Sequence, residues 1–467
     1  MATCSIENFG CRATEADAAA LRHGLLSTGL VLVEDHCSAD LVVLNTCTVT
    51  AAADSQTRDA VRKIHRANPG ARIIVTGCYA QRAPEEIAGL KGVSWVIGNS
   101  HQTEIPKVAR ELIGPSSEEV PFVLPSAQKD FVPVSLLAAD EMSLARGPAK
   151  ILTGDIFAQT SVQLAPAGVG EGDRTRPILK IQDGCNNRCA YCVIPFVRGR
   201  SRSLPPDVVI AEVRKLVASG SREIVLSGIN LGAYGRDLLP RAGLSDIVYR
   251  ILEETSLEQL RLSSIEPQDV TEELISLMTS SDRMAPHFHV PLQSGSDRIL
   301  RAMHRWYRAD HYAERVKRIR RMLQSAAIGA DVIVGFPGES EEDFQATVAL
   351  IERLPFTYLH VFSFSARPGT EGANLGAPVP ATTIRERARA LRARAQRKSF
   401  EFRASQAGRT LRALTLAGGG DTWTPAITAN YLKVRIPGRF PANQWRETSL
   451  SSDETSVGEP SRANFQE

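Results

Sequence analysis

Three cysteines fall within eight residues, Cys185, Cys189 and Cys192, and three more, Cys11, Cys47 and Cys78, lie far upstream. Thiolates are soft ligands suited to iron-sulfur clusters, and three of them fill three corners of a four-iron cluster while leaving the fourth iron open to a small molecule. Two such trios imply two clusters, each with a vacant position. A zinc site would close with a fourth Cys or His nearby, yet after Cys192 the next histidine is His287. In a reducing compartment such thiols are metal ligands or catalytic groups rather than disulfide partners. Cys4 and Cys37 are left over, and read as ordinary strand and loop residues.

Hydrophobic periodicity supplies the elements that must position these thiols. Cys4 to Phe9, Leu41 to Leu44 and Arg72 to Thr76 are short apolar or β-branched runs, and Ala16 to Leu26 and Ser55 to Arg66 carry helical spacing. Each run ends in a cysteine turn: Gly10-Cys11, Asn45-Thr46-Cys47 and Gly77-Cys78. The intervals, 47 − 11 = 36 and 78 − 47 = 31 residues, match one βαβ unit of about 30 residues. Right-handed crossovers then put all three cysteines at the carboxyl edge of one parallel sheet, where open α/β sheets bind ligands. Residues 1–113 are thus expected to form an open parallel α/β domain. Residues 114–175, rich in Pro, Ala, Ser and Gly with a weak strand pattern at Phe131 to Leu136, read as a linker.

Strand patterns resume at Ile178 to Gln182, Glu223 to Ser227, Leu260 to Ile265, Phe288 to Leu292, Ala330 to Gly335 and Tyr358 to Phe364. Between them run helical patterns at Pro206 to Ala218, Leu244 to Glu254, Glu272 to Thr279, Ser296 to Gln324 and Glu341 to Leu354. Six βα units predict a partial (βα)6 barrel over residues 176–395, with the Cys185 to Cys192 loop directly after its first strand, where barrel chemistry sits. An arginine-rich helix at Ile384 to Phe402 leads into short strands at Thr410 to Leu416, Ala426 to Thr428 and Leu432 to Ile436. A small antiparallel β-barrel is expected over residues 396–450, with no strand legible after Trp445 and a disordered tail at 451–467.

A chain of 467 residues suits about three domains. No stretch approaches the ~20 apolar residues of a membrane helix and the N-terminus lacks a secretion signal, so no membrane association and a cytoplasmic location are expected. The net charge is only +3, but arginines cluster at Arg301 to Arg321 and at Arg385 to Arg403. Charge alone leaves two readings open for these runs, the wet face of a helix or contacts to phosphate.

The three-then-two spacing of Cys185, Cys189 and Cys192 resembles the signature of the radical S-adenosylmethionine (SAM) superfamily. Ile181-Gln182-Asp183-Gly184-Cys185-Asn186-Asn187, Asn45-Thr46-Cys47-Thr48-Val49-Thr50, Leu226-Ser227-Gly228-Ile229-Asn230, His289-Val290-Pro291-Leu292-Gln293-Ser294-Gly295 and Asp331-Val332-Ile333-Val334-Gly335-Phe336-Pro337-Gly338-Glu339 resemble the methylthiotransferases. Within them the words are most similar to the branch acting on N6-threonylcarbamoyladenosine beside the tRNA anticodon. The resemblance covers residues 3 to about 110 and 176 to about 440.

The resemblance implies two [4Fe-4S] clusters and SAM as cofactors. Cys185, Cys189 and Cys192 would hold the cluster that cleaves SAM, and Cys11, Cys47 and Cys78 an auxiliary cluster connected with sulfur. Tyr191, Gly228, Asn230, Glu266 and Gln293 would bind SAM, each also readable as a turn or a satisfied polar group. Asn430-Tyr431-Leu432-Lys433-Val434 is similar to the RNA-binding TRAM domain, implying that Tyr431 stacks on a base while the neighbouring lysine holds phosphate, and that the C-terminal barrel meets the tRNA anticodon loop. A low-potential electron donor such as flavodoxin or ferredoxin and a monomeric chain are also expected. After Cys11 the family shows a basic residue and soon an Asn, whereas here Arg12 is followed by Ala13-Thr14-Glu15-Ala16. Rival readings are a methylthiotransferase for isopentenyladenosine tRNA or a ribosomal protein, and a non-catalytic iron-sulfur protein that binds RNA.

Overall fold

The computed structural model describes residues 2–113, 148–164 and 175–450. The chain divides into two compact units, Met1–Ile156 and Phe157–Glu467.

The first unit is built on a parallel sheet of six strands: β1 (Thr3–Asn8), β2 (Val31–Leu32), β3 (Leu41–Thr46), β4 (Arg72–Gly77), β5 (Val93–Gly98) and β6 (Lys150–Leu152), in the order β2-β1-β3-β4-β5-β6. β3 is buried along its whole length, as a central strand covered on both faces must be. Its side chains alternate accordingly. Val42 and Leu44 pack with Val61, Ile64 and Tyr79 on one face, while Leu41 and Val43 pack with Leu21, Leu25 and Ile105 on the other. β6 comes from the segment read as a linker; it pairs Lys150 with Trp95 in register, and the Lys150 ammonium lies 5.3 Å from the Trp95 ring centre. Three residues are too short a run for periodicity to reveal. The patterns at 131–136 and the tail at 451–467 lie outside the described residues.

In the second unit β7 (Ile178–Asp183), β9 (Glu223–Gly228) and β10 (Gln259–Leu262) form one parallel run, flanked by the antiparallel β8 (Arg202–Ser203). β11 (His287–His289), β12 (Ala327–Val334) and β13 (Tyr358–Ser363) form another. A parallel bridge between Ser264 and His289 joins them, so six parallel strands curve into a partial barrel in the order β7-β9-β10-β11-β12-β13. Alternation along each strand sorts the residues. Leu179, Ile181, Ile224, Leu226, Phe288 and Val332 belong to the apolar core shared with the helices. Their neighbours Lys180, Gln182, Glu223, Arg261, His287 and His289 occupy the opposite, inner face and are buried too.

The helical pattern read over Ser296 to Gln324 is two helices, Asp297–Ala302 and Ala309–Met322. His304 takes φ +57° between them. The turn that results carries Arg305 and Tyr307 inward, an irregularity that helical spacing of the surrounding apolar residues conceals.

Helix Ala381–Ser405 runs across position 395 and delivers the chain to an antiparallel sheet of β14 (Thr410–Thr415), β15 (Trp423–Thr428), β16 (Lys433–Pro437) and β17 (Trp445–Ser449), ordered β16-β15-β14-β17. This sheet curls over Phe402, Ala413, Leu432, Val434 and Ile436 as a half-barrel, consistent with the small antiparallel TRAM-like module expected. β17 corrects the expectation that no strand follows Trp445. Its sequence is too polar to read as a strand, but it is held by a five-residue ladder to β14, with the Arg412 guanidinium 4.0 Å from the Trp445 ring centre.

Candidate functional site

The cysteine loop of the second unit is held by side chains at the end of β7. Gln182 is fully buried, and its Nε2 donates to the carbonyls of Asp183 (2.9 Å) and Gly184 (2.8 Å), while its Oε1 accepts the Asn230 backbone N–H (2.8 Å). It thereby ties the cysteine loop to the loop after β9. Gly184 sits at φ +68° with the site of a missing Cβ only 2.0 Å from the Arg200 carbonyl oxygen, so only glycine fits. At Gly228 a Cβ would lie 2.9 Å from Gln182 Oε1. The Cys185 N–H donates to Gly199 O (3.1 Å), and the Cys192 N–H to Cys189 O (3.0 Å). Burial pushes Asp183 up, but Lys180, Arg198 and Arg202 outweigh it and hold the carboxyl below the usual range.

Burial pushes the Cys185 thiol up to about 11 and Cys192 up to about 12, and Cys189 adds to both. Such thiols stay protonated near neutral pH until a cation displaces the proton. The side-chain amide of Asn230 stands 4.0 Å from Cys185 Sγ. Its buried Oδ1 has no hydrogen-bond partner among the described residues. Three thiols in one loop beside an unanswered polar atom fit a cluster with a polar ligand bound next to it.

Tyr191 and Glu266 also reach this loop, through a residue that the sequence did not single out. Arg305, from the turn between the two helices, points Nη1 at Cys189 Sγ (3.2 Å) and at Tyr191 Oη (3.5 Å), and Nη2 forms an ion pair with Glu266. Burial works against the Arg305 charge, and Tyr307, Tyr191, Glu266 and Cys189 outweigh it. Burial raises the Glu266 carboxyl, with Arg305 opposing. Gln293 sits at φ +64° after β11, with its backbone N–H bonded to Asp331 O (2.8 Å). The structure thus brings Tyr191, Asn230 and Glu266 to the cysteine loop and leaves Gly228 and Gln293 at neighbouring strand ends. In sequence Arg305 was one member of a charge run; only the kink at His304 distinguishes it.

In the first unit the other three cysteines follow β1, β3 and β4, which are adjacent strands. Cys11 caps helix Arg12–Leu26, and Cys78 is the first residue of a short helix after Gly77. Gly10, at φ +138°, would place a Cβ 2.7 Å from Cys47 Cβ, so the turns of Cys11 and Cys47 touch. Gly77, at φ +97°, would place one 2.4 Å from Thr46 O, which seats Cys78 beside Cys47. The loop after Cys47 is locked by Thr48 Oγ1 donating to Asp54 (2.6 Å) and by Arg82 Nη2 donating to the same carboxylate (3.0 Å). Where the family shows Asn after its first cysteine, Thr14 Oγ1 bonds Cys11 O (2.7 Å) and Asn45 Nδ2 bonds Thr14 O (2.7 Å). Cys47 and Cys78 are buried and Cys11 is exposed. Cys4 is buried in β1 and Cys37 exposed in a loop, neither near this edge.

A family model described as the Radical SAM superfamily matches residues 179–351, and one described as uncharacterized protein family UPF0004 matches residues 3–98. The threonylcarbamoyladenosine tRNA methylthiotransferase MtaB of Aquifex aeolicus (strain VF5) is 36% identical, over 93% of this chain and 96% of its own. The chain belongs to the radical SAM methylthiotransferases. The MtaB protein of Bacillus subtilis (strain 168) is 33% identical over 94% of this chain and 91% of its own. The tRNA-2-methylthio-N(6)-dimethylallyladenosine synthase of Thermobifida fusca (strain YX) is 34% identical over 90% and 78%. Among solved structures, the radical SAM methyltransferase TsrM of Kitasatospora setae superposes with a TM-score of 0.53 at 16% identity, over 78% of this chain and 73% of that one. That likeness supports the fold. As a radical SAM methylthiotransferase the chain uses an iron-sulfur cluster and SAM, and Cys185, Cys189 and Cys192 lie inside the matched radical SAM segment.

Tyr431, expected to stack on an RNA base, is otherwise engaged. Its ring centre lies 4.3 Å from that of His287 and 5.7 Å from that of Tyr358, with the Arg261 guanidinium 5.3 Å away. It touches residues of β10, β11 and β13 and so docks the C-terminal sheet on the amino end of the barrel. Exposed Arg412, Arg435 and Arg446 instead lie on Trp445, Trp423 and Phe440. Among the described residues, no helix is long and apolar enough to cross a membrane.

Proposed function

We propose that this methylthiotransferase acts on N6-threonylcarbamoyladenosine beside the tRNA anticodon and places a methylthio group on C2 of the purine. The observation that carries the reading is the pair of thiol trios, each gathered at the carboxyl edge of its own parallel strands, together with relatives of this printed name that match over nearly their whole length. Residues 1–113 form the N-terminal domain, 176–395 the radical SAM core and 396–450 the RNA-facing module, with 114–175 between the first two.

Cys185, Cys189 and Cys192 hold one [4Fe-4S] cluster and Cys11, Cys47 and Cys78 the other. With SAM bound, the first supplies a radical able to take a hydrogen from an unactivated carbon, and the second supplies or carries sulfur. The protein's own residues prepare the ground for both. Asn230, Glu266 and Gln293 present polar atoms to SAM, Gly228 lets its backbone lie close against Gln182 beside them, and Tyr191 covers the loop. Arg305 opposes the burial that raises the Glu266 carboxyl and gives the Cys189 sulfur a hydrogen bond. Buried Cys47 and Cys78 keep water from the auxiliary position while exposed Cys11 leaves it approachable. The arginine-on-aromatic pairs of the C-terminal sheet offer charge and flat surface to the anticodon loop. A low-potential flavodoxin or ferredoxin donates electrons, and the enzyme works as a monomer in the cytoplasm.

The test is anaerobic turnover of the reconstituted protein with SAM, a low-potential reductant and an anticodon stem-loop bearing N6-threonylcarbamoyladenosine. The expected products are 5′-deoxyadenosine and the 2-methylthio nucleoside. 5′-Deoxyadenosine without a methylthio product, or methylthiolation of an isopentenyladenosine stem-loop alone, overturns the reading.

A further inference from the structure

The carboxyl edge of the first sheet has a strand end that bears no cysteine, beside two that do. β5 pairs with β4 so that Gly98 stands opposite Gly77, and β4 pairs with β3 so that Gly77 stands opposite Thr46. Cys47, Cys78 and Asn99 are each the next residue along, which sets them level on three adjacent strands. Gly98-Asn99 repeats the Gly77-Cys78 turn with an amide in place of the thiol. The amide turns to its neighbour: Asn99 Nδ2 donates to Cys78 Sγ at 3.5 Å. Cys47 Sγ likewise accepts an N–H, from the Val49 backbone at 3.5 Å. Donors aimed at sulfurs suit thiolates that ligate a metal cluster, whose charge they share.

The turn that carries Asn99 is braced by the helix that Cys78 begins. Gln81, in the short helix Cys78–Arg82, accepts the Ser100 N–H at Oε1 (3.0 Å) and donates from Nε2 to Gly154 O (3.1 Å). The Gly154 N–H donates in turn to Ser100 Oγ (2.9 Å). A Cβ at Gly98 would fall 2.4 Å from Gln81 Oε1 and displace it, so the glycine admits this brace. Buried Gln102 reaches back to Asn45 Oδ1 at the end of β3 (3.5 Å). The backbone on either side of Asn99 is thus tied to the two strand ends that deliver Cys47 and Cys78.

We propose that Asn99 is a positioning residue for the auxiliary cluster: its amide N–H fixes the Cys78 sulfur and raises the potential at which the cluster accepts an electron. This rests on the assignment of Cys11, Cys47 and Cys78 under Proposed function, and deepens it. An added electron places more negative charge on the ligating sulfurs, so a donor held there favours the reduced state. Removing the donor should shift the one-electron equilibrium by about tenfold, equivalent to a potential lower by about 59 mV.

The experiment uses the full chain carrying Cys185→Ala, Cys189→Ala and Cys192→Ala, so that only the first unit's cluster is reconstituted, and follows its reduction by electron paramagnetic resonance in a redox titration. Asn99→Leu, which keeps the size and removes the donor, should retain about four irons per chain and show the lowered potential. Asn99→Gln, whose longer amide can fold back to the sulfur, should recover most of the shift. A packing role alone would alter iron content or melting temperature and leave the potential of the loaded protein where it was. Iron lost from Asn99→Leu but kept in Asn99→Gln also upholds the donor's role. An unchanged or raised potential in iron-loaded Asn99→Leu overturns the proposal, and so does loss of iron from both variants alike. A parent chain that holds no iron once the other three cysteines are gone overturns instead the assignment of the auxiliary cluster, and this inference with it.

Discussion

Arg305→Met should destabilise the second unit by about 3 kcal/mol at neutral pH, the lower end of the cost of breaking a buried pair. The lower end applies because Glu266 keeps 18% of its side chain exposed, against 3% for Arg305, and can escape part of the penalty by taking a proton. Burial already raises its carboxyl with Arg305 opposing, and removing the guanidinium raises it further. Between the pKa of the unfolded carboxylate and this raised folded value the folded chain holds the extra proton. Stability therefore falls as pH rises through that window, by up to about 1.4 kcal/mol per pH unit. The penalty should be smallest at the acid end of that window, present in full above it, and worth about 6 °C of melting temperature in a unit this large. Scanning calorimetry of the reconstituted protein across that range measures it. The double variant Arg305→Met/Glu266→Gln should recover most of the loss, since no uncompensated carboxylate remains. A penalty independent of pH, or one that the double variant merely adds to, would refute the assignment of Arg305 as the counter-charge of Glu266.

Reconstituted wild-type protein should bind about eight irons per chain, and either Cys185→Ala or Cys11→Ala about four; an unchanged count in Cys11→Ala, by iron and sulfide analysis, removes the auxiliary site. Cys47→Ala should still yield 5′-deoxyadenosine from SAM but no methylthio nucleoside, and loss of both products together counts against separate roles. Gly184→Ala must push a Cβ against the Arg200 carbonyl at 2.0 Å in a left-handed conformation, costing about 2–4 kcal/mol; the iron analysis should show the second unit's cluster lost, and full occupancy would refute the fit. Tyr431→Ala should loosen the C-terminal sheet, read as faster tryptic cleavage after Arg409 or Arg412, with weaker tRNA binding following from the displaced sheet; intact proteolytic resistance with lost RNA binding would return Tyr431 to the role of a base-stacking residue.

The gathering of the two thiol trios was legible because their spacing is one-dimensional. Cys185, Cys189 and Cys192 sit in one loop, and Cys11, Cys47 and Cys78 each end a strand whose apolar run is unmistakable. Strands β3, β4, β7 and β9 were readable for the same reason. The inner face of the barrel was not. Its polar residues alternate with the apolar ones in strands whose average hydropathy is unremarkable, and nothing local says that His289, Asp331 and His360, 42 and 29 residues apart, meet across three strands. Arg305 was hidden by its neighbours, since a helix-like spacing of apolar residues continues across the kink at His304. β6 and β17 escaped because backbone pairing rather than an apolar pattern holds them, and Tyr431 was misread because its motif does not reveal that the barrel lies beneath it.

The nucleoside profile of tRNA from a strain lacking this chain tests the central claim most directly. The account predicts that 2-methylthio-N6-threonylcarbamoyladenosine disappears, that N6-threonylcarbamoyladenosine accumulates in its place, and that wild-type protein but not Cys185→Ala restores the methylthio group. Persistence of the 2-methylthio nucleoside, or loss of the isopentenyl counterpart instead, would contradict it.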